Sequence, residues 1–474
     1  MKKIEKEIKT IHYLAISCCT IVYILLGYFT KRSDFEILYP SIILLFLNFI
    51  FLSNSKFTVH QFLWLGFFFR IILLGVIPFL SQDFYRFIWD GQLLTQGLNP
   101  YEYTPFQYLK NTPDTHLPFS NGYALIEGMG SLNASHYSNY PPLSQLLYGI
   151  AAFFGNKSIL SFVIALRILI IGFEIGIGHL LSKLLTHINS NPQKIALYML
   201  NPFIIIELTG NLHLEGVMLF FTLLGTYLLF IKKEKSSAVA MAIAILTKLL
   251  PIIYLPQFLL FFTQSNFQNS FNRRNIKKIF KYIEYVIIVN IIVILGFYIF
   301  YKPHLIENFG TSIGLWFKKF EFNASIYYII RELGYFFIGW NIIETAGKTL
   351  AIVTFLSILG ISFLRNNQNQ KTLITSMLFS HCMYLLFTTT VHPWYLVLAL
   401  GLSILTHFRF MQLWSFIIFS SYWAYQDPEF DENLSIVFIG YTCVIIYVIY
   451  EFIKNYTNWN NACWSLGVKK NHPK

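Results

Sequence analysis

Between Ser81 and Tyr101 the chain reads SQDFYRFIWDGQLLTQGLNPY. If Asp83 to about Gln96 is helical, Asp83, Arg86 and Asp90 fall at i, i+3 and i+7 and share one face. Phe84, Phe87 and Ile88 then point elsewhere, into lipid or protein. A carboxylate at that position can accept a proton from an attacking hydroxyl. A guanidinium beside it can grip a phosphate through its planar donor fork. The same pattern also describes an amphipathic helix at a membrane interface with a local ion pair.

Other polar residues stand where packing explains them less easily. Tyr140 opens Tyr-Pro-Pro, which is either a helix start or a substrate contact. Asn211, His213 and Glu215 sit between two apolar runs, where polar groups usually face a cavity. A helix cap is the plainer use of that stretch, and His213 with Glu215 makes only a weak metal pair. Lys248 lies late in an apolar run and can snorkel to the surface, with or without a phosphate to meet. The stretch 315–331 holds Lys318, Lys319, Glu321, Asn323 and Arg331. Anchoring to anionic lipid is the ordinary reading of those two lysines. His392 precedes Pro393, Trp394 and Tyr395; such a group can hold a sugar by hydrogen bonds and ring stacking. An interfacial aromatic belt accounts for the Trp and Tyr alone. Arg70, Arg167, Glu174 and Glu207 interrupt apolar runs and need partners or a cavity.

The elements that must position these groups are apolar helices. Of 474 residues, 55% are hydrophobic, 18% aromatic and only 12% charged. Soluble domains carry about 25% charged residues. That balance excludes a disordered chain and argues against a soluble enzyme. The net charge of +12 fits basic cytoplasmic loops rather than nucleic-acid binding. The five cysteines have no metal-ligand spacing and suggest no disulfide framework. The Lys-rich start precedes a long apolar segment with no small-residue cleavage site, so it reads as an uncleaved first span.

Apolar runs mark an all-α polytopic membrane protein in one unit, 1–474, of about 12–14 transmembrane helices, with interfacial helices in its outer loops. Candidate spans lie near 11–30, 37–53, 60–80, 158–181, 194–209, 213–231, 236–250, 251–265, 277–301, 346–364, 372–390, 393–407, 410–425 and 433–453. The apolar stretches 142–154 and 326–340 are read as interfacial or dipping. With them left out of the count, the basic tracts Lys232–Lys235 and Arg273–Lys281 and both termini fall in the cytoplasm together. The long loops 81–157 and 302–345, and the junctions at 211–215 and 392–395, then share the outer face.

The pattern D-x-x-R-[YF]-x-W-D-G followed by G-x-N-P-Y, after early apolar spans, resembles the first outer loop of the GT-C glycosyltransferases. It is most similar to bacterial mannosyltransferases that use polyprenyl-phosphate-mannose. Tyr-Pro-Pro, the stretch Phe320–Tyr328 and His-Pro-Trp-Tyr resemble the same group. GT-C enzymes often place this loop after the first span, whereas here three spans precede it. The resemblance implies a lipid-linked donor and an acidic residue in this loop as catalytic base, Asp83 first and Asp90 second. Arg86, His392, Lys248 and Arg331 are the candidates to bind the donor phosphate. Trp89, Asn99, Tyr101, Tyr140, Asn211, His213, Glu215, Glu321, Asn323, Trp394 and Tyr395 are candidate substrate contacts.

The expected reaction is transfer of a hexose, with mannose as the family's sugar, to a hydroxyl of a glycan, lipid or protein acceptor at the outer face of a bacterial cytoplasmic membrane. It would invert the anomeric centre. No cofactor and no metal are expected, since Arg or Lys can stabilise a leaving phosphate and no D-x-D pair stands in the first outer loop. A multi-spanning transporter or flippase of envelope lipids is the alternative, though no repeat of the kind transporters carry is evident. A non-catalytic component of envelope assembly is a further rival.

Overall fold

The computed structural model of the chain describes residues 2–78, 80–111, 118–155, 158–427 and 430–454. Among these there is no strand, only an isolated parallel bridge between Phe322 and Thr390. Each expected span coincides with a helix, or with short consecutive helical segments.

Six helices are long and apolar enough to cross a membrane: Thr10–Phe29, Phe35–Ser53, Ile159–His187, Arg273–Tyr298, Ile343–Leu364 and Leu434–Lys454. A seventh crossing is available if Pro202–Gly210 and Glu215–Phe230 count as one span, bent by 114° at its break. The molecule is an integral membrane protein. Along Arg273–Tyr298, Ile287, Ile291, Ile294 and Leu295 are all exposed, an apolar face suited to lipid.

The other expected spans are shorter, so fewer helices meet the crossing length than the 12–14 counted from apolar runs. Pro251 and Pro393 each start a fresh helical turn inside an apolar run. Val59–Ile72 stops well before the end of its run. The stretches 142–154 and 326–340 form the helices Pro142–Gly155 and Ile326–Ile338. Pro142–Gly155 lies against Asp83–Thr95, with Phe87 stacked on Tyr148 at 4.6 Å. Gly91 makes that approach possible: a Cβ there would sit 2.4 Å from the Tyr148 carbonyl oxygen.

The charges inside apolar runs are matched. Arg70 and Glu174 form a fully buried ion pair. Arg70 also donates to the carbonyls of Gly66 and Met199, each at 2.8 Å. Thr209 donates to Glu174 at 2.9 Å. Arg167 donates to the carbonyls of Leu74 (2.8 Å), Val76 (2.6 Å), Thr209 (2.6 Å) and Gly210 (3.0 Å). Those carbonyls lie just past Val59–Ile72 and at the end of the π-helical turn Ile205–Gly210. One guanidinium thus satisfies two interrupted helices where neither has its own next turn. Glu207 accepts from Tyr422 at 2.8 Å and from Asn211 at 3.0 Å.

Removing one partner of a buried ion pair leaves the other uncompensated. Glu174→Gln is expected to lower stability by about 3–5 kcal/mol, read as an earlier thermal transition of the purified protein in detergent.

Candidate active site

Asp83 is the first residue of the helix Asp83–Thr95. Its position follows from a tightly held neighbour. Arg86 donates to Asp90 at 2.8 Å within the helix, and both are buried. Arg86 also donates to the carbonyls of Asn133 (3.0 Å) and His136 (2.9 Å). Asp90 accepts from Ser138 at 2.6 Å and Gln145 at 3.0 Å. Arg86 and Asp90 therefore tie 133–145 onto the helix. Asp83 stands apart from that knot: Arg86 turns toward Asp90, although all three residues occupy one helical face.

Several candidate contacts brace this loop. Trp89 is fully buried, edge-on to Tyr108 and Phe119. Tyr101 donates to the Tyr140 carbonyl at 2.6 Å. Asn99 donates to the Phe300 carbonyl at 2.8 Å, and Asn308 to that of Tyr101 at 2.9 Å. The two long loops are thereby joined. Asn211 is engaged by Glu207.

The Asp83 carboxylate is half-buried and accepts no hydrogen bond among the described residues. Burial pushes its carboxyl up to about 6, against the pull of Lys248, with Glu215 adding to the rise and Arg32 opposing it. Tyr140, Tyr395 and Tyr425 also lie within electrostatic reach of Asp83. Lys248 follows the helix Glu234–Thr247. Its ammonium pairs with Glu215 at 2.8 Å and stands 5.3 Å from the Tyr140 ring centre. Ser144 donates to the Thr247 carbonyl at 2.7 Å, fastening Pro142–Gly155 beside Lys248. Glu215 keeps one buried oxygen, and His213 one buried ring nitrogen, without a hydrogen-bond partner.

His213, Trp394 and His392 form a ring stack, with centres 3.8 Å and 4.6 Å apart. Burial, and secondarily Lys248, lower His392 to about 3, so its imidazole is neutral. A neutral ring can donate or accept a hydrogen bond but lends no positive charge to a phosphate.

The second loop meets this stack through a short backbone zipper. The Phe322 amide donates to Thr389 at 3.2 Å, and the Val391 amide to Phe322 at 2.8 Å. Phe322 stacks on His392 at 5.1 Å. Asn323 takes a left-handed φ of 46°. Its amide donates to Glu432 at 2.6 Å and its side chain to Val391 at 3.3 Å. Arg331 pairs with Glu321 at 2.6 Å and Glu332 at 3.0 Å. Glu321 also accepts from Tyr327 and Asn341. Glu321 and Arg331 thus form their own cluster. The side chain of Lys318 lies outside the described residues.

Sequence reasoning missed Arg32. Its guanidinium donates to Gln82 at 3.0 Å, next to Asp83, and lies 4.6 Å from the Tyr425 ring centre. An arginine in the short junction 31–34, which the expected topology puts on the outer face against the inward bias of positive charge, is the signal that was available. Tyr425 carried no such signal.

Residues 30–264 match the family model described as "Alpha-(1->6)-mannopyranosyltransferase, N-terminal domain". That part of the chain resembles a mannosyltransferase domain. The chain is 28% identical over 149 residues to Alpha-(1->6)-mannopyranosyltransferase B of Corynebacterium glutamicum, covering 31% of this chain and 23% of that protein. It is 26% identical over 192 residues to Alpha-(1->6)-mannopyranosyltransferase A of the same organism, covering 39% of this chain and 35% of the relative. The matched stretches thus cover about a quarter to about a third of the curated relatives' own length. The part matched to the mannosyltransferase family holds Arg32, Asp83, Arg86, Asp90, Tyr140, His213, Glu215 and Lys248. The His392 and Glu321 neighbourhoods fall beyond it.

An acid whose folded pKa is raised binds its proton more tightly when folded. Asp83 therefore costs stability as pH climbs from the ordinary carboxylate range through about 6. Asp83→Asn is expected to melt no lower than the parent above pH 7, with any gain shrinking as pH falls from 6 to 4. Thermal unfolding across that series measures it.

Proposed function

We propose that the protein transfers a hexose, mannose by its family, from a polyprenyl-phosphate donor to an acceptor hydroxyl at the outer face of a bacterial cytoplasmic membrane. The observation that carries this reading is Asp83: a partly desolvated carboxylate, unpaired among the described residues and within electrostatic reach of two cations, inside the part of the chain that matches a mannosyltransferase domain.

Asp83 takes the proton of the acceptor hydroxyl as that oxygen attacks the anomeric carbon. The bond to the donor phosphate breaks on the opposite side, so the anomeric centre inverts. A carboxyl near 6 is ionised at neutral pH yet basic enough to share a proton in the transition state. The departing phosphate gains negative charge and needs fixed positive charge. Lys248 and Arg32, the two cations that act on Asp83, are suited to this role. Arg86 and Arg331 are committed to Asp90 and Glu321. The His213–Trp394–His392 stack offers ring edges that can hydrogen-bond a sugar. The lipid tail lies between spans, and the basic tracts Lys232–Lys235 and Arg273–Lys281 put both termini in the cytoplasm.

The test uses purified protein, labelled polyprenyl-phosphate-mannose and a membrane extract as acceptor. Asp83→Asn is expected to lose about 10²–10⁴-fold in transfer rate; full activity in that variant sinks the assignment of the base. Failure to transfer from any lipid-linked sugar sinks the enzyme reading. The rate should rise with pH through a midpoint of about 6. Because Lys248 lowers that value, Lys248→Met should move the midpoint to higher pH while slowing transfer, as read from kcat/KM profiles.

A further inference from the structure

Three helices lead from the neighbourhood of Asp83 to a second place at the far end of the molecule. Glu215–Phe230 begins at the partner of Lys248; Glu234–Thr247 ends beside Lys248. Gln370–Phe387 carries Tyr384, within electrostatic reach of Glu215. Each helix covers roughly 20–27 Å at about 1.5 Å per residue. Their other ends border a cleft of about 780 Å³.

The cleft has two chemical parts. Leu229, Phe230, Phe261 and Phe262 form an apolar wall, with Phe230 and Phe261 ring centres 5.6 Å apart. Lys232, Lys278, Lys281 and Lys371 supply positive charge around it. Glu234 is the sole acid among the described lining residues, and Lys281 holds it at 3.6 Å. Lys278 donates to the Thr263 carbonyl at 3.0 Å. Lys232 and Lys371 make no ion pair among the described residues. Lys194 and Arg409 lie on the same side, with both Lys371 and Arg409 within electrostatic reach of Lys194. So many like charges around a space of this size favour an anion. Lys278 and Lys281 belong to Arg273–Tyr298, whose exposed Phe280, Ile283 and Ile287 face lipid, so the cleft opens beside the bilayer.

We propose that this cleft binds the phosphate headgroup of an anionic membrane lipid, with the phosphate among Lys232, Lys278 and Lys371 and the first chain carbons against Phe230 and Phe261. The apolar wall and the adjoining lipid-facing helix favour a lipid over free phosphate. The site stands apart from Asp83 and does not rest on the transfer reaction.

The test titrates the full chain in neutral detergent with phosphatidylglycerol, phosphatidylcholine or inorganic phosphate, reading bound lipid by native mass spectrometry and protection by thermal unfolding. Phosphatidylglycerol should bind about tenfold or more tighter than phosphatidylcholine. The triple variant Lys232→Gln/Lys278→Gln/Lys371→Gln should lose that preference. Lys183→Gln/Lys277→Gln, which removes two exposed lysines outside the cleft, should keep it. If the triple variant does not fold, the exposed Lys371→Gln alone should weaken phosphatidylglycerol binding about fivefold. The proposal is overturned if the parent shows no preference, if the control pair loses as much as the cleft variants, or if inorganic phosphate protects equally at the same concentration.

Discussion

Arg86 and Asp90 are sealed from solvent within one turn of one helix, and such a pair holds only when the remaining donors and acceptors are met. Here the carbonyls of Asn133 and His136, Ser138 and Gln145 meet most of them. Satisfying the charges also folds 133–145 down onto the helix. Pro142–Gly155 is thereby drawn against Gly91, and Ser144 reaches the end of the helix that presents Lys248. The pair most open to being read as reacting groups is thus what brings Asp83, Tyr140 and Lys248 together.

Arg167 does for the spans what Arg86 does for the loop. A helix that stops at membrane depth leaves carbonyls that water cannot reach. Four of them converge on one guanidinium. The chain can then leave Val59–Ile72 toward Ser81, and the break before Glu215 can hold His213 and Glu215 beside the same space. The Arg70–Glu174 pair, joined to Thr209, stiffens the same junction.

Hydropathy alone marked the helical membrane class, because apolar runs survive any detail of packing. It marked more runs than there are helices of crossing length among the described residues, because an apolar run records burial as well as span length. Helical spacing correctly set Asp83, Arg86 and Asp90 on one side of a helix. It was silent on which pair would form, since i, i+3 and i, i+4 contacts are both within reach. Asn99, Tyr101 and Asn323 stood out by motif, yet their hydrogen bonds go to backbone far along the chain. Arg32 was hidden for the converse reason: its neighbours, Gln82 and Tyr425, come from opposite ends of the sequence.

The contrast among the carboxylates has a physical consequence. Asp90, Glu174, Glu207 and Glu321 are each bound by several donors. Asp83 has none among the described residues, and Glu215 meets Lys248 with one oxygen while the other is buried and unmatched. A fold that matches those four acids so fully carries a cost in leaving these two open, and a raised Asp83 carboxyl is the electrostatic form of that cost. A polar ligand would relieve it by supplying the missing donor: an acceptor hydroxyl at Asp83, and a sugar hydroxyl at Glu215 or His213. Binding energy spent there is realised only when the hydroxyl lies within hydrogen-bond reach of Asp83. On the proposed reaction, the same arrangement would both select the substrate and orient it for attack.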